Sequence, residues 1–261
     1  MNKISTLLLA AGTGTRLMPL TLNWPKCLMP IGYYPLLEYW LSMLYKNQIN
    51  DIYLNLHHHS NIVETFLQRR RFRGWIKTFK EEKLLGTAGT LRAVKRNLKF
   101  RTILLIHADN WSSFNLKSFI DYHFNKRPSN TLLTMMTFKT DNPRNSGIIE
   151  KNEQDVVISF HEKTKNPPGR LANGAVYLID SEVIDFIIEN NSIIDFSTQV
   201  IPNFIGKIAT WENKKIHRDI GTINNLRISQ NDIKPNIYWK SKDKWLVDFQ
   251  NNPIHKMMES A

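Results

Sequence analysis

The 261-residue sequence predicts an α/β fold: a single domain with a mixed, mostly parallel sheet and helices on both faces. Three observations carry this expectation. Short continuous apolar runs, such as residues 4–10 and 102–109, have the length and composition of strands buried on both sides. They alternate with segments whose apolar residues recur at helical spacing, the pattern of crossover connections. A glycine turn follows the first run directly, and open α/β sheets hold ligands at the carboxyl ends of their strands.

The elements follow in order. Ile4 to Ala10 reads as a buried strand bounded by glycine. "LLEYWLSMLYK" (36–46) reads as a helix after Pro35, a favourable first-turn residue. Residues 51–57 predict a strand, and 61–70 a helix capped by Ser60 or Asn61. "WIKTFK" predicts a strand, "TAGTLRAVKRNL" a helix, 102–109 a strand, 116–124 a helix and 131–138 a strand. Beyond about residue 140 the rhythm changes. "SGIIEKNEQDVVISFHEK" predicts a hairpin connected through polar "KNEQD". "GAVYLID" is a strand, "SEVIDFIIEN" a helix capped by Ser181, and "STQVIPNFI" a helix interrupted by Pro202. "KIATWE" and "KIHRDIG" are expected to close the sheet, and 222–231 to form the final helix. From Pro235 the pattern weakens into a basic tail, with Trp239 and Trp245 expected to pack it back. The expected organisation is one domain over 1–234 and a tail over 235–261.

Composition narrows the function classes. A hydrophobic share of 42% and a charged share of 22% are ordinary for a soluble globular protein. No apolar stretch is long enough to span a bilayer, and "MNKIST" lacks the pattern of a signal peptide. The single cysteine, Cys27, excludes an internal disulfide and suits a reducing cytoplasm. A net charge of +12 suggests polyanionic partners: nucleic acid, a charged membrane surface or a phosphorylated small molecule. The dense cluster "RRRFR" (Arg69 to Arg73) reads as a solvated helix end. His57, His58 and His59 follow a strand, where adjacent side chains face opposite ways, so no metal site is expected there.

The glycine turn is the richest signal. Glycine lets backbone N–H groups approach phosphate oxygens closely. A dinucleotide loop would need glycine at Leu17 and an immediate helix, which Pro19 and Pro25 oppose. A Walker A loop would need glycine, lysine and serine or threonine in succession, and they are absent. What remains is G-x-G-T-R-L-x-P-L-T, then Pro25-Lys26. Arg16 offers a planar fork for phosphate and Lys26 a compact charge. Ordinary turn glycines beside two surface cations would read the same way on physics alone.

The segment closely resembles the signature of the sugar-phosphate nucleotidyltransferases, or nucleotide-sugar pyrophosphorylases. The resemblance runs from about residue 4 to about residue 229. "EEKLLGTAGTL" resembles the family's base-recognition segment, "HADN" its metal-binding aspartate, and "FHEK" and "ANGAVYLID" its sugar-phosphate site. "DFSTQVIP" and "RDIGT" resemble its later landmarks. Cys27 and His107 depart from common family residues without removing a group that the chemistry needs. The β-helix domain of longer members is not expected after the tail.

The resemblance implies a Rossmann-like, nucleotide-diphospho-sugar transferase domain that joins a sugar 1-phosphate to an NTP and releases pyrophosphate. It implies nucleotide binding by Leu9, Ala10, Ala11, Gly12, Thr13, Gly14 and Thr15, and by Gly86, Thr87, Ala88 and Gly89. Arg16 and Lys26 are the catalytic cations. Asp109 and Asp219 are the implied ligands of Mg²⁺, which takes few protein oxygens. Glu162, Lys163, Asn173 and Gly174 are implied at the sugar phosphate. Plainer readings stay open on the residues themselves: capping aspartates, an N-cap at Thr87 and a cross-strand Glu162–Lys163 ion pair. A sugar 1-phosphate is already largely dianionic at pH 7, so no general base is expected. "LGTAG" most resembles guanylyltransferases acting on mannose 1-phosphate or a manno-heptose phosphate; uridylyl or thymidylyl transfer is the alternative. A silent nucleotide-sugar sensor and a nucleic-acid binder are the rival classes. The expected partners are GTP and a sugar 1-phosphate, without nucleic acid or membrane, and a homo-oligomer is left open. A thiol reagent is expected to reach Cys27 beside the phosphate cradle unless the sulfur is buried.

Overall fold

The computed structural model describes residues 3–260. Met1 and Asn2, at the head of the segment read above as lacking a leader, lie outside the described residues, as does Ala261 of the tail. In chain order the first elements are β1 (Ile4–Leu9), β2 (Pro30–Ile31), β3 (Tyr34–Pro35), α1 (Leu36–Lys46), β4 (Asp51–Leu56), α2 (Ser60–Leu67) and β5 (Ile76–Lys80). There follow α3 (Thr87–Val94), β6 (Thr102–His107), β7 (Asn110–Ser112), α4 (Leu116–Asn125), β8 (Leu133–Lys139), β9 (Gly147–Lys151) and β10 (Val157–Glu162). The chain continues with β11 (Leu171–Ile179), α5 (Ser181–Glu189), β12 (Ile208–Glu212), β13 (His217–Asp219), α6 (Ile223–Ser229), α7 (Lys244–Gln250) and α8 (Ile254–Ser260).

These elements give a mixed α/β fold whose large sheet is flanked by helices. Hydrogen bonding orders the strands β10-β9-β11-β6-β1-β4-β5, and β8 pairs with both β11 and β12. The pairs β4–β5 and β8–β12 are parallel, while β11 runs antiparallel to β6, β8 and β9. Every residue of β1 is buried, which is why its run is continuous rather than alternating.

The chain forms two compact units. One comprises the residues through Leu7, Leu85–Ile106 and Phe114–Lys215; the other comprises Leu8–Leu84, His107–Ser113 and Ile216 onward. In the first, "KNEQD" joins the antiparallel β9–β10 hairpin as expected. Asp180 precedes α5, and Ser181 is its first residue rather than its cap. Pro202 falls where a π-turn (Phe196–Val200) gives way to a 3₁₀ turn (Ile201–Phe204), so that segment is two short turns instead of one helix.

The second unit departs further from expectation. The prolines keep residues 15–28 out of α-helix, in three 3₁₀ turns. Neither Ser60 nor Asn61 caps α2; His59, in the left-handed region at φ 52°, precedes it. The strand from "KIHRDIG" does not close the large sheet. β13 pairs antiparallel with β7 in a separate two-stranded ribbon that sets Asp219 opposite Asn110.

The tail is not shapeless either. Asp243 accepts the Leu246 amide and starts α7, and α8 follows, so α6 is not the final helix. Trp239 meets Phe72 at 5.1 Å, and Trp245 meets Phe66 at 5.0 Å. Arg69 of "RRRFR" is not solvated: its side chain is 3% exposed and its guanidinium forks onto Glu38 at 2.7 and 3.2 Å. Arg69 also reaches Asp243 at 2.9 Å, and Arg71 bonds both Glu38 and Asp243. Glu38 stands on the buried face of α1, and a buried carboxylate persists only when paired. Burial pushes its pKa up, against the pull of Arg69 and Arg71.

Candidate active site

The glycine loop leaves β1 as an exposed arch rooted in the interior. Leu9, Ala10 and Ala11 are buried, and Leu9 O accepts Ala108 N at 2.9 Å. Ala10 N donates to Asn55 Oδ1 at 2.6 Å, and Asn55 Nδ2 donates to Glu81 Oε1 at 2.9 Å. Gly12, Thr15 and Arg16 are exposed, while Thr13 and Gly14 are half-buried. Gly14 has φ 65°, and a Cβ there would sit 2.8 Å from Thr21 Cγ2, so glycine is required twice over. A Cβ at Gly12 would touch nothing within 4 Å. Packing within this chain therefore does not require glycine there.

Behind the arch, the two cations and the two aspartates come together in one unit. Lys26 is buried, and its Nζ donates to Asp109 Oδ2 at 2.7 Å and to Asp219 Oδ1 at 3.2 Å. Arg16 Nη2 donates to Asp219 Oδ2 at 3.1 Å from an exposed side chain. Asp109 follows the end of β6, and Asp219 ends β13; the β7–β13 ribbon makes them neighbours. Burial alone would lower the Lys26 pKa, but Asp109 and Asp219 outweigh it and hold the ammonium above the ordinary lysine value. Burial would raise both carboxyls, yet Lys26 draws them below the usual range, with Arg16 adding to the effect at Asp219. Asp219 Oδ1 also accepts Gly221 N at 2.8 Å, and a Cβ at Gly221 would strike Arg16 and Asp219. Burial pushes His217 down to about 4, so its ring beside this cluster is neutral at pH 7.

Cys27 corrects an expectation. Its thiol is buried, and burial, with the charge of Asp109 behind it, pushes its pKa up to about 12. Lys26 Nζ reaches the aspartates, while the sulfur is buried near enough to Asp109 to feel its charge. The histidine run also resolves locally: His57 Nδ1 bonds the Glu81 carbonyl at 2.9 Å, and the His58 and His59 Nε2 atoms both bond the Thr21 carbonyl.

The other unit carries the remaining residues in two places. Gly86, at φ 76°, precedes α3, and the Thr87 hydroxyl accepts Phe196 N at 2.6 Å instead of capping the helix. Glu162 ends β10, and Lys163 Nζ lies 3.4 Å from its carboxylate, a pairing of chain neighbours rather than across strands. Lys163 is exposed, with φ 48°. Asn173 bonds the Tyr177 hydroxyl at 2.6 Å and accepts Ala175 N at 2.9 Å. Gly174 lies in the bulge of β11, where a Cβ would sit 2.7 Å from Met136 Cε.

Sequence reasoning missed Asn55 and Glu81, which anchor the root of the loop. The signal was present: one amide in the otherwise apolar strand "IYLNL", and buried amides need partners.

The site is a glycine arch on a buried strand, backed by a lysine between two aspartates in an α/β chain. Residues 5–235 match the nucleotidyl transferase family, and the chain belongs to it. It is 28% identical over 226 residues to the mannose-1-phosphate guanylyltransferase of Mycobacterium tuberculosis, covering 85% of this chain and 62% of that one. The chain spans about three fifths of the length of such relatives. A Bacillus anthracis structure solved with sucrose, provisionally assigned as a glucose-1-phosphate thymidylyltransferase, superposes with a TM-score of 0.79 at 23% identity, covering 89% of this chain and 97% of that one. HddC from Yersinia pseudotuberculosis, solved with GMP-PN, superposes with a TM-score of 0.72 at 20% identity, covering 87% and 97%. At such identities the two structures establish the fold alone. Among the described residues, no helix is long and apolar enough to cross a membrane.

Proposed function

We propose that the chain is a sugar-1-phosphate nucleotidyltransferase, joining a sugar 1-phosphate to an NTP and releasing pyrophosphate. The observation that carries the reading is the Lys26 ammonium held between Asp109 and Asp219 behind an exposed glycine arch. In this reading a phosphate oxygen of the sugar attacks the α-phosphorus. One P–O bond forms, and the bond to the β-phosphate breaks with its electron pair leaving on pyrophosphate. The nucleophile is already ionised, so catalysis rests on alignment and on offsetting charge. Residues 9–15 receive the phosphates, Gly12 leaving open backbone where an oxygen can approach. Arg16 and Lys26 offset the charge that gathers at the α-phosphate. Gly86 to Gly89 are assigned to the base, and Glu162, Lys163, Asn173 and Gly174 to the sugar phosphate.

Two carboxylates converging on one cation are hard oxygen donors that fit Mg²⁺, which completes its shell with phosphate and water. Asp109 and Asp219 would hold it, and when bound it would neutralise phosphate charge. GTP with mannose 1-phosphate or a manno-heptose 1-phosphate is the favoured pair, supported by "LGTAG" and by the guanylyltransferase relatives. Phosphorylated small-molecule partners and a cytoplasmic setting fit this chemistry and the lone buried thiol. The test is pyrophosphate release from four NTPs against a panel of sugar 1-phosphates, with and without Mg²⁺. Metal-dependent release with one pair supports the reading, and no release with any pair overturns it.

A further inference from the structure

The turn assigned to the nucleobase is held from outside itself. The first amides of a helix lack partners within it, yet at α3 two are engaged by one distant carbonyl. Ala88 N donates to Ile194 O at 2.9 Å and Gly89 N to the same oxygen at 3.3 Å. Gly86 passes so close that a Cβ would lie 2.4 Å from that oxygen. The Thr87 hydroxyl accepts Phe196 N at 2.6 Å and lies 3.4 Å from Asp195 Oδ2.

The Ile194 carbonyl and the Asp195 amide are two ends of one planar peptide unit. Its N–H end is fixed by a side chain: Gln199 Oε1 accepts Asp195 N and also Ile194 N, each at 2.8 Å. Asp195 Oδ1 accepts both the amide and the hydroxyl of Thr198, which keeps Asp195 in place. One peptide plane thus links the Gln199 amide group to the start of α3, and turning it would release both ends.

We propose that Gln199, through the 194–195 peptide, is a positioning residue that sets nucleotide selectivity by fixing the Gly86–Gly89 turn. The inference rests on the nucleotidyltransferase reading above. A site that recognises a base through hydrogen bonds rejects others by leaving its polar groups unpaired, which requires that those groups hold still. Gln199 is only half-buried, so its replacement does not open the core.

The experiment compares Gln199→Met, similar in shape but without the acceptor, with Gln199→Glu, which keeps an acceptor oxygen. Pyrophosphate release is measured for GTP, ATP, UTP and dTTP, and amide hydrogen exchange is followed at Ala88 and Gly89. In Gln199→Met the KM for the preferred NTP should rise on the order of tenfold, as for the loss of about one net hydrogen bond. Its margin over the other NTPs should narrow, while kcat and the sugar 1-phosphate KM stay within about twofold. The Ala88 and Gly89 amides should exchange faster, and Gln199→Glu should restore both readouts. Gln199→Ala, which removes the acceptor without adding bulk, takes its place should Gln199→Met fail to fold. Unchanged NTP KM and selectivity in Gln199→Met, or an equal rise in both substrates' KM, would overturn the proposal. A wild-type chain that releases no pyrophosphate overturns the functional reading, a result visible before any variant is compared.

Discussion

Lys26 Nζ lies 2.7 Å from the Asp109 carboxylate and 3.2 Å from that of Asp219, so one buried ammonium holds together two acidic groups that repel each other. Removing that charge has a consequence that activity alone would not reveal. In Lys26→Met without metal, the carboxylates face each other uncompensated. Stability should fall by roughly 1.5–3 kcal/mol, the range for hydrogen bonds to charged groups. Mg²⁺ should then raise the melting temperature of the variant more than that of the wild type, measured by calorimetry in Mg²⁺ and in chelator. Turnover should fall about 10²–10³-fold, as for one preorganised donor. Equal Mg²⁺ responses would show that the aspartates do not hold the ion.

The aspartates should also be separable by pH. Both folded carboxyls lie below their ordinary range, near 4. Their contribution to stability is therefore present above that range and lost as pH falls through the lower folded values. Urea unfolding in chelator between pH 3 and 6 should show a shallower acid limb for Asp219→Asn than for wild type. Asp109→Asn and Asp219→Asn should each reduce turnover by orders of magnitude, roughly 10²-fold or more, with far-UV dichroism unchanged. Full activity in excess chelator would contradict the metal assignment.

Cys27 should be inert in the folded chain. With its pKa near 12, the thiolate fraction at pH 8 is about a thousandfold below that of an ordinary thiol. Iodoacetamide should label it slowly in buffer and readily in urea, as read by intact mass. Cys27→Ala should retain catalysis, because a buried thiol takes no part in the attack of phosphate on phosphorus. Rapid labelling of folded protein would place the thiol at the surface.

The Glu38–Arg69 pair gives the strongest stability prediction. Arg69→Met leaves Glu38 buried and short of its bidentate partner, and breaking such pairs costs about 3–5 kcal/mol. Arg71 remains on Glu38, so the lower end is expected. In Glu38→Gln combined with Arg69→Met the loss should be smaller than the sum of the single losses, giving a positive coupling in a double-mutant cycle. Additive losses would mean that the two side chains contribute independently.

Much of this was legible in the sequence, and the exceptions share a cause. β1, α1, the β9–β10 hairpin and the glycine loop declare themselves through local periodicity and turn chemistry, and each lies close to where it was read. The failures depend on partners remote in the chain. Nothing near "RRRFR" reveals that Glu38 and Asp243 await Arg69 and Arg71, so the cluster reads as solvated. "KIHRDIG" has the pattern of a strand, but β7 as its partner is a fact of topology. Cys27 next to a cation reads as reactive, and only its burial in the fold shows otherwise. Among the candidate residues, Asp109 stands out locally at the end of an apolar strand and Asp219 only through the family resemblance, whereas Asn55 could have been suspected from its apolar neighbours.

The β7–β13 ribbon also imposes an order on synthesis. The glycine arch, Lys26 and Asp109 leave the ribosome ahead of β8 to β12, and Asp219 emerges only after those strands have been made. Domains generally fold as units during synthesis, and the unit that holds the arch includes the residues from Ile216 onward. A chain stalled ahead of β13 therefore carries the arch with one carboxylate on Lys26 instead of two. Translation that stops short of β13 leaves the acidic pair incomplete, however much of the preceding chain has been made.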